Sequence, residues 1–187
     1  MNHFLGFFID DQTRRQAIKR VNRVSTIFAD MGIQVRWVKP SCYYIKVQNL
    51  PGYIGLLKRL HISYKLKNIF KKSVRLSIGN IKLGSNRNLK GLVYLEIERG
   101  GDMLRDLKYQ ITRKLKIKDN VQFIPHIALG RINKDLSRQE YSNISKDVRN
   151  ISKDFKKEEI LFSLEELDLV RIKNRNYEIL KKFDISQ

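Results

Sequence analysis

The sequence predicts an α+β fold made of two similar halves. Short apolar runs typical of strands alternate with longer segments of helical periodicity, and the chain divides into two successive sets of such elements. No apolar run is long enough for a membrane-spanning helix. A chain of 187 residues can bury a core without metals or disulfides. We therefore expect residues 1–187 to form a single domain.

The first set of elements occupies residues 4–72. The apolar run 4–9 predicts a buried strand, and apolar residues at intervals of three and four then predict a helix capped by Thr13 and ended by Gly32. Residues 35–38 and 43–50 are predicted as two strands separated by a break at Pro40. A basic stretch, 54–72, is predicted as a helix.

The second set occupies residues 74–185. It is predicted to contain strands over 74–83 and 92–98, a helix over 103–117, an extended segment over 121–132, a solvated helix over 135–155, and strands over 160–172 and 177–185. The turn-rich sequences GSNRN and KNRN separate the paired strands.

The charge of the chain indicates a polyanionic partner. Its 38 Lys and Arg against 19 Asp and Glu give a net charge of +19, which attracts nucleic acid first and anionic membranes second. A genome poor in G and C would also inflate Lys, but 16 of these residues are Arg, which that bias does not favour. Residues 54–72 are either a solvated helix face or a basic amphipathic helix that meets a membrane.

Several classes of protein are disfavoured. Cys42 is the single cysteine, which suits a reducing compartment, and the first residues resemble no secretory signal, so we expect a cytoplasmic protein. No His/Cys cluster has metal-ligand spacing and no glycine-rich segment matches a phosphate loop, so neither a metal nor a cofactor is expected.

The segment VQFIPHIALGRI contains the chemically most informative residues. In a strand, Ile127 and Leu129 point to the core, whereas His126 and Ala128 share the opposite face and Arg131 lies just beyond. Histidine can donate to phosphate or transfer a proton near neutral pH, and arginine supplies fixed positive charge. The alternative is a structural or merely exposed histidine.

PHIALGR resembles the second signature of the 2H phosphoesterases, in which His-x-Thr (or His-x-Ser) follows a proline and precedes an arginine. The whole chain is similar to the bacterial RNA 2',3'-cyclic phosphodiesterases, formerly called 2'-5' RNA ligases, through FLGFFIDDQTRRQAI, VRWVKPSCYYIKVQNL, GLVYLEIE and LFSLEELDLVRIKNRNYEILKKFDI. The resemblance implies two lobes whose antiparallel sheets face a central cleft, with the helices outside.

Three of the four side chains that define the family are replaced. The family's first histidine follows the tryptophan of R-W-V by seven residues, where this chain has Tyr44, and the paired threonine is Lys46. The second threonine is Ala128, while His126 is kept. Each proton transfer by such a histidine contributes roughly 10²–10⁴-fold, and neither tyrosine nor lysine is a ready base at neutral pH.

The resemblance implies a site with two groups of residues. His126 and Tyr44 occupy the catalytic positions, and Lys46, Arg131, Arg36, Trp37 and Tyr177 are the candidates for binding phosphate and RNA. Aromatic side chains among cations can stack unpaired bases while the cations hold phosphates.

We therefore predict a monomeric protein that binds RNA phosphate ends with weak or no hydrolysis. The first alternative is an active RNA 2',3'-cyclic phosphodiesterase that opens the cyclic phosphate to a 2'-phosphomonoester. The second is a basic interaction protein whose partner is not RNA.

Overall fold

The computed structural model describes residues 2–67, 69, 74–86, 88–119, 122–155, 160–173 and 176–185. Within these residues the chain forms four α-helices and nine strands, with a short 3₁₀ turn at Pro40–Cys42. In chain order the elements are β1 (Asn2–Phe8), α1 (Asp11–Asp30), β2 (Val35–Trp37), β3 (Tyr44–Leu50), α2 (Leu56–Leu66), β4 (Val74–Leu83), β5 (Leu92–Arg99), α3 (Gly101–Lys114), β6 (His126–Ile132), α4 (Arg138–Phe155), β7 (Ile160–Leu164), β8 (Glu166–Lys173) and β9 (Asn176–Asp184).

The strands form one curled antiparallel sheet in the order β7-β4-β5-β6-β3-β1-β8-β9, with β2 also paired to β6. The sheet has two halves that meet where Ile45 of β3 pairs with Ile127 of β6. One half contains β7, β4, β5 and β6, and the other contains β3 and β1 together with β8 and β9 from the end of the chain. The predicted α+β class is confirmed. The two sheets expected to face a cleft are joined edge to edge into a single sheet.

The helices cover one face of this sheet and leave the other face free for a site. Alternate strand residues and the apolar stripes of the helices bury one continuous core, represented by Phe7, Ile45 and Ile127 from the sheet and by Val24 and Leu107 from helices α1 and α3. Burial of this size is the main favourable term in folding.

Strands β3 and β6 are structurally equivalent. Both show the same alternation of buried and accessible positions. Each also has one extra residue relative to its outer neighbour, because the β1–β3 pairing skips Val47 and the β5–β6 pairing skips Leu129. Such a bulge re-aims the side chains beside it. Tyr44 is therefore the counterpart of His126, and Lys46 is the counterpart of Ala128.

The start of α1 differs from the prediction. Asp10 is the N-cap, because its Oδ1 accepts a hydrogen bond of 2.7 Å from the backbone N–H of Thr13. Thr13 lies buried inside the first turn and donates its own hydroxyl to Asp10. Aspartate at an N-cap also interacts favourably with the positive end of the helix dipole, which threonine cannot do. Gly32 follows the helix with φ +65°, as expected of a helix-ending glycine.

The predicted strand 160–172 is two strands. β7 pairs with β4 at one edge of the sheet, whereas β8 pairs with β1 in the other half, so the chain crosses between the halves at Glu165. The predicted helix 54–72 is shorter, at Leu56–Leu66, and residues 68 and 70–72 lie outside the described residues. Likewise, the predicted extended segment 121–132 becomes a strand only at His126.

Across the described part of the chain, no helix combines the length and the apolar character needed to cross a membrane.

Candidate functional site

A groove of about 400 Å³ lies on the open face of the sheet, where β3 and β6 meet. Tyr44, Lys46, His126 and Arg131 all line it. Four of the seven residues selected from the sequence therefore share one groove. They come together because the Ile45–Ile127 pair sets the two strands side by side with matching faces.

Lys46 and His126 are neighbours across this junction. In antiparallel pairing, the residue after Ile45 faces the residue before Ile127, and opposed Cβ atoms are roughly 4.5–5.5 Å apart. The positive charge of Lys46 correspondingly contributes to a lowered pKa of His126. By the same geometry, Tyr44 faces Ala128.

The ring of His126 is held in one orientation. Its Nδ1 lies 2.7 Å from the carbonyl oxygen of Ile124, and because a carbonyl only accepts, Nδ1 carries the proton. In the neutral ring Nε2 is then the acceptor. Burial, followed by the charge of Lys46, lowers the pKa of His126, and this outweighs the opposing hydrogen bond to Ile124. The imidazole is therefore neutral at pH 7 and is suited to accept a proton. The edge of the Tyr94 ring packs against it, with centroids 5.3 Å apart.

Lys46 presents a cation that no described carboxylate neutralises. Its Nζ lies 5.5 Å from the ring centre of Phe4 and 5.9 Å from that of Tyr44, and no carboxylate pairs with it among the described residues. Burial lowers the pKa of Lys46 because a half-buried ammonium loses hydration. The described side chains that line the groove include no aspartate or glutamate. An anion entering the groove would supply the missing charge.

Tyr44 belongs to an aromatic cluster and is not available as a base. Its ring stacks on Phe4 with centroids 4.6 Å apart and meets Tyr177 edge-on at 5.2 Å, with Phe8 also in contact. Burial first, and then the hydrogen bond to Tyr177, raise the pKa of Tyr44 above its ordinary value. The phenol is therefore neutral at every physiological pH. Tyr177 contacts Tyr44 in this cluster but is not among the residues that line the groove.

Arg131 and Arg36 lie together at the rim of the groove. They are direct partners in the β2–β6 pairing, so both side chains project from the same face, and both are exposed. Arg131 donates from Nη1 to the carbonyl oxygen of Lys90 at 2.7 Å, which anchors its guanidinium beside the groove. Of the two, Arg131 lines the groove.

Trp37 lies on the other side of the sheet and is removed from the candidate site. It pairs with Gly130, and its ring packs edge-on against Phe28 of α1 with centroids 5.8 Å apart. The missing Cβ of Gly130 makes this possible, since a Cβ there would lie 2.9 Å from Cε3 of Trp37. Alternation along β2 places Arg36 and Trp37 on opposite faces, so only one of them can face the groove.

Sequence reasoning missed the part of the groove that comes from α3 and the loops. Lys108 of α3 lines it and forms an ion pair with Asp119 at 3.0 Å, while its Nζ lies 5.3 Å from the ring of Phe123. Asn86 and Asn88 of the β4–β5 loop also line it. Nothing in the local pattern marks these residues, because their position depends on how α3 and the loop approach β3 and β6. Within the described ranges, no group of His, Cys, Asp and Glu is arranged to hold a metal ion.

The sheet order, the helices on one face and the groove between two equivalent central strands make up the fold seen in crystal structures of E. coli LigT. Among solved structures, the chain is similar to E. coli LigT complexed with NADP+ (14% identity, TM-score 0.67) and to TT0787 of Thermus thermophilus (17% identity, TM-score 0.63), each over 100% of this chain and 98% of the other. Kluyveromyces marxianus Usb1 is similar over 96% of this chain and 97% of its own, at 13% identity and a TM-score of 0.53. No family model and no curated protein matches the sequence. The resemblance predicted from the sequence is thus confirmed for the fold.

Proposed function

We propose that the groove binds RNA through a terminal phosphate and hydrolyses it weakly or not at all. The observation that carries this proposal is the half-buried Lys46, which has no carboxylate partner among the described residues and stands across the sheet from His126. A cation that has lost hydration without gaining a counter-ion is costly for the fold and is explained by an anionic ligand.

Phosphate suits the remaining groups as well. Arg131 is fixed at the rim and can donate two parallel hydrogen bonds to a phosphate, and Arg36 beside it adds charge for the next phosphate of a strand. The net charge of +19 adds long-range attraction to any polyanion. Crystal structures of E. coli LigT, which has the same fold, are complexes with phosphate and with 3'-AMP.

Weak hydrolysis is expected because only one described residue of the groove is suited to proton transfer at neutral pH. Opening a cyclic phosphate requires one group to activate water and another to protonate the leaving oxygen. His126 can perform one of these transfers, but its counterpart Tyr44 is a buried, hydrogen-bonded phenol with a raised pKa. A poor acid at that position forfeits a contribution of roughly 10²–10⁴-fold.

An active RNA 2',3'-cyclic phosphodiesterase is the second candidate, and one observation favours it. With Nδ1 of His126 bonded to Ile124, Nε2 is oriented as a general base for water attacking the phosphorus. The bond from phosphorus to the ribose 3'-oxygen would then break, and that oxygen would take a proton from Lys46 or from water, leaving a 2'-phosphomonoester and a free 3'-hydroxyl. The lowered pKa of Lys46 makes its ammonium a better acid than an ordinary lysine.

The decisive experiment compares the wild type with His126→Ala on an oligonucleotide that ends in a 2',3'-cyclic phosphate. The proposal expects binding by both proteins and, at most, slow turnover by the wild type, reduced by the roughly 10²–10⁴-fold that one missing proton transfer costs. Rapid turnover by the wild type that disappears in His126→Ala would establish the second candidate and overturn the first.

Salt dependence separates RNA binding from the alternative in which the partner is not RNA. Contacts with phosphates release counterions, so the dissociation constant for RNA should rise steeply with salt. Lys46→Gln should reduce both affinity and slope, whereas Lys19→Gln, the same charge change at an exposed position of α1, should leave specific binding intact. Equal effects of the two substitutions would show that the groove is not the RNA site. A monomeric state and a cytoplasmic location remain part of the proposal.

A further inference from the structure

Helix α2 exposes large apolar side chains to solvent. Leu56, Leu57, Leu60 and Tyr64 are 72%, 82%, 57% and 77% exposed, and Tyr53, just before the helix, is 68% exposed. Single exposed leucines are ordinary on protein surfaces. A cluster of five large apolar side chains on one short segment is not, and such clusters mark surfaces that meet a partner.

The exposed side chains form a stripe that is separate from the face holding α2 to the protein. At 3.6 residues per turn, positions 56, 57, 60 and 64 fall within an arc of about 100°. Ile62 and Leu66 lie on the far side of the helix, where they are buried in the core and where α2 meets α3. The helix therefore has one apolar face that packs on the protein and a second apolar face that the described residues leave exposed.

The charges on α2 are all of one sign. Lys58, Arg59 and Lys65 lie within the helix and Lys67 follows directly, while residues 56–66 contain no aspartate or glutamate. Lys58 and Lys67 are exposed. A partner that covers the apolar stripe therefore approaches a helix that carries only positive charge, which favours an anionic partner.

We propose that α2, together with Tyr53, is a peripheral membrane-binding surface that lies in the interface of an anionic lipid bilayer. The leucines would enter the boundary between headgroups and acyl chains, the tyrosines would lie at headgroup level, and the cations would contact anionic headgroups. A second copy of the chain is a poorer occupant because it would bring the same cations together. RNA is poorer too, since stacking would use the tyrosine rings but leave the three leucines exposed.

The test uses the full chain and flotation with vesicles of phosphatidylcholine alone or with phosphatidylserine added. We expect the wild type to float with the phosphatidylserine vesicles. The variant Leu57→Asn/Leu60→Asn keeps every charge and should lose at least about tenfold in partitioning, since each leucine loses its transfer out of water. The matched control is Leu161→Asn, which alters a leucine that is 67% exposed on β7 and should float like the wild type.

Two flotation results would contradict membrane insertion. If the double variant floats as well as the wild type, the attraction is electrostatic only and the proposal is wrong. If the wild type does not float, the proposal is also wrong. Analytical ultracentrifugation would then show whether the protein dimerises, as expected if a second copy covers the stripe. Fluorescence gives an independent check: Leu57→Trp should show a blue-shifted emission with anionic vesicles, and an unshifted spectrum would contradict insertion. RNA binding by the double variant should be unchanged, so this result is independent of the groove.

Discussion

Replacing Lys46 by methionine should make the protein more stable and its groove weaker at binding phosphate. Methionine has a similar length and stays apolar, so the change removes the ammonium and little else. The contacts of Nζ with the rings of Phe4 and Tyr44 are lost, at a cost of about 0.5–1 kcal/mol. Contact of the methionine sulfur with the same rings returns about 0.3–1.5 kcal/mol.

The effect on stability follows from the lowered pKa of Lys46. A lysine whose pKa is lower in the folded than in the unfolded state penalises folding at every pH below the folded value, and this penalty disappears only as the pH rises through the window between the two values. The wild type bears the full penalty wherever Lys46 is charged in both states. Lys46→Met removes it, so the free energy of unfolding should increase.

The effect on binding follows from the same ammonium. A phosphate oxygen about 4 Å from Nζ is attracted by about 4 kcal/mol at an effective dielectric constant of about 20. Desolvation reduces the net value to the about 1.5–3 kcal/mol typical of hydrogen bonds with charged groups. At about 1.4 kcal/mol per factor of ten, the dissociation constant for phosphate-ended RNA should rise about 10- to 100-fold.

The assay pairs urea denaturation with fluorescence titration of a 5'-labelled oligonucleotide that bears a 3'-terminal phosphate. Lys19→Met is the control, since Lys19 is exposed on α1 and away from the groove. An unchanged dissociation constant for Lys46→Met would refute the phosphate site. A lower free energy of unfolding would refute the argument that Lys46 is an uncompensated cation.

Three further predictions test the surroundings of the site. In an NMR titration, the pKa of His126 should lie below its ordinary value and should rise in Lys46→Met, because a repelling charge is removed. An unchanged pKa would contradict the electrostatic interaction between the two side chains. Burial raises the pKa of Asp168 to about 6, whereas the pKa of an aspartate in the unfolded chain is about 3.9. The stabilising contribution of protonated Asp168 is therefore full below a pH of about 3.9 and is lost as the pH rises through about 6. Asp168→Asn should therefore increase the free energy of unfolding at pH 7 by up to about 3 kcal/mol and leave it unchanged near pH 3, as urea denaturation would show. Gly130→Ala should lower the free energy of unfolding by about 1–3 kcal/mol, since its Cβ would lie 2.9 Å from Trp37; an unaffected midpoint in urea would contradict the packing of β2.

The sequence was sufficient for the parts of the site that depend on alternation within a strand. The opposite directions of Ile127 and His126, and of Ile45 and Lys46, follow from the two-residue period of a strand once the strands are placed. The path of residues 160–172 could not be predicted, because a run of apolar residues does not show that its two ends pair with different halves of a sheet. Lys108 could not be predicted either, since it reaches the groove through the packing of α3.

Trp37 shows a different limit. Because it lies beside Arg36 in a basic segment, its sequence context is compatible with a base-stacking role as well as with a place in the core. The two-residue period of the strand only requires that Arg36 and Trp37 face opposite sides of the sheet. Which of them faces the groove is decided by the pairing of β2 with β6 and by the space that Gly130 leaves. That space depends on residues nearly a hundred positions apart in the chain.

Lys46 and Ala128, which occupy equivalent positions of β3 and β6, are packed in opposite ways. On β3, Lys46 is paired with Gly6 of the neighbouring strand, where a Cβ would lie 3.1 Å from the Phe4 ring and 3.3 Å from the Cα of Lys46. On β6, the small Ala128 is paired with the large Tyr94, whose ring fills the space next to His126. Because the backbones of β3 and β6 carry the same bulge, these differences come from side chains alone, and each large residue is matched by a small one. Loss of function by itself would give no reason for such matching, nor for a cation in the groove that no described carboxylate pairs with. Both are expected if, as proposed, the groove binds a phosphate and cleaves it weakly or not at all.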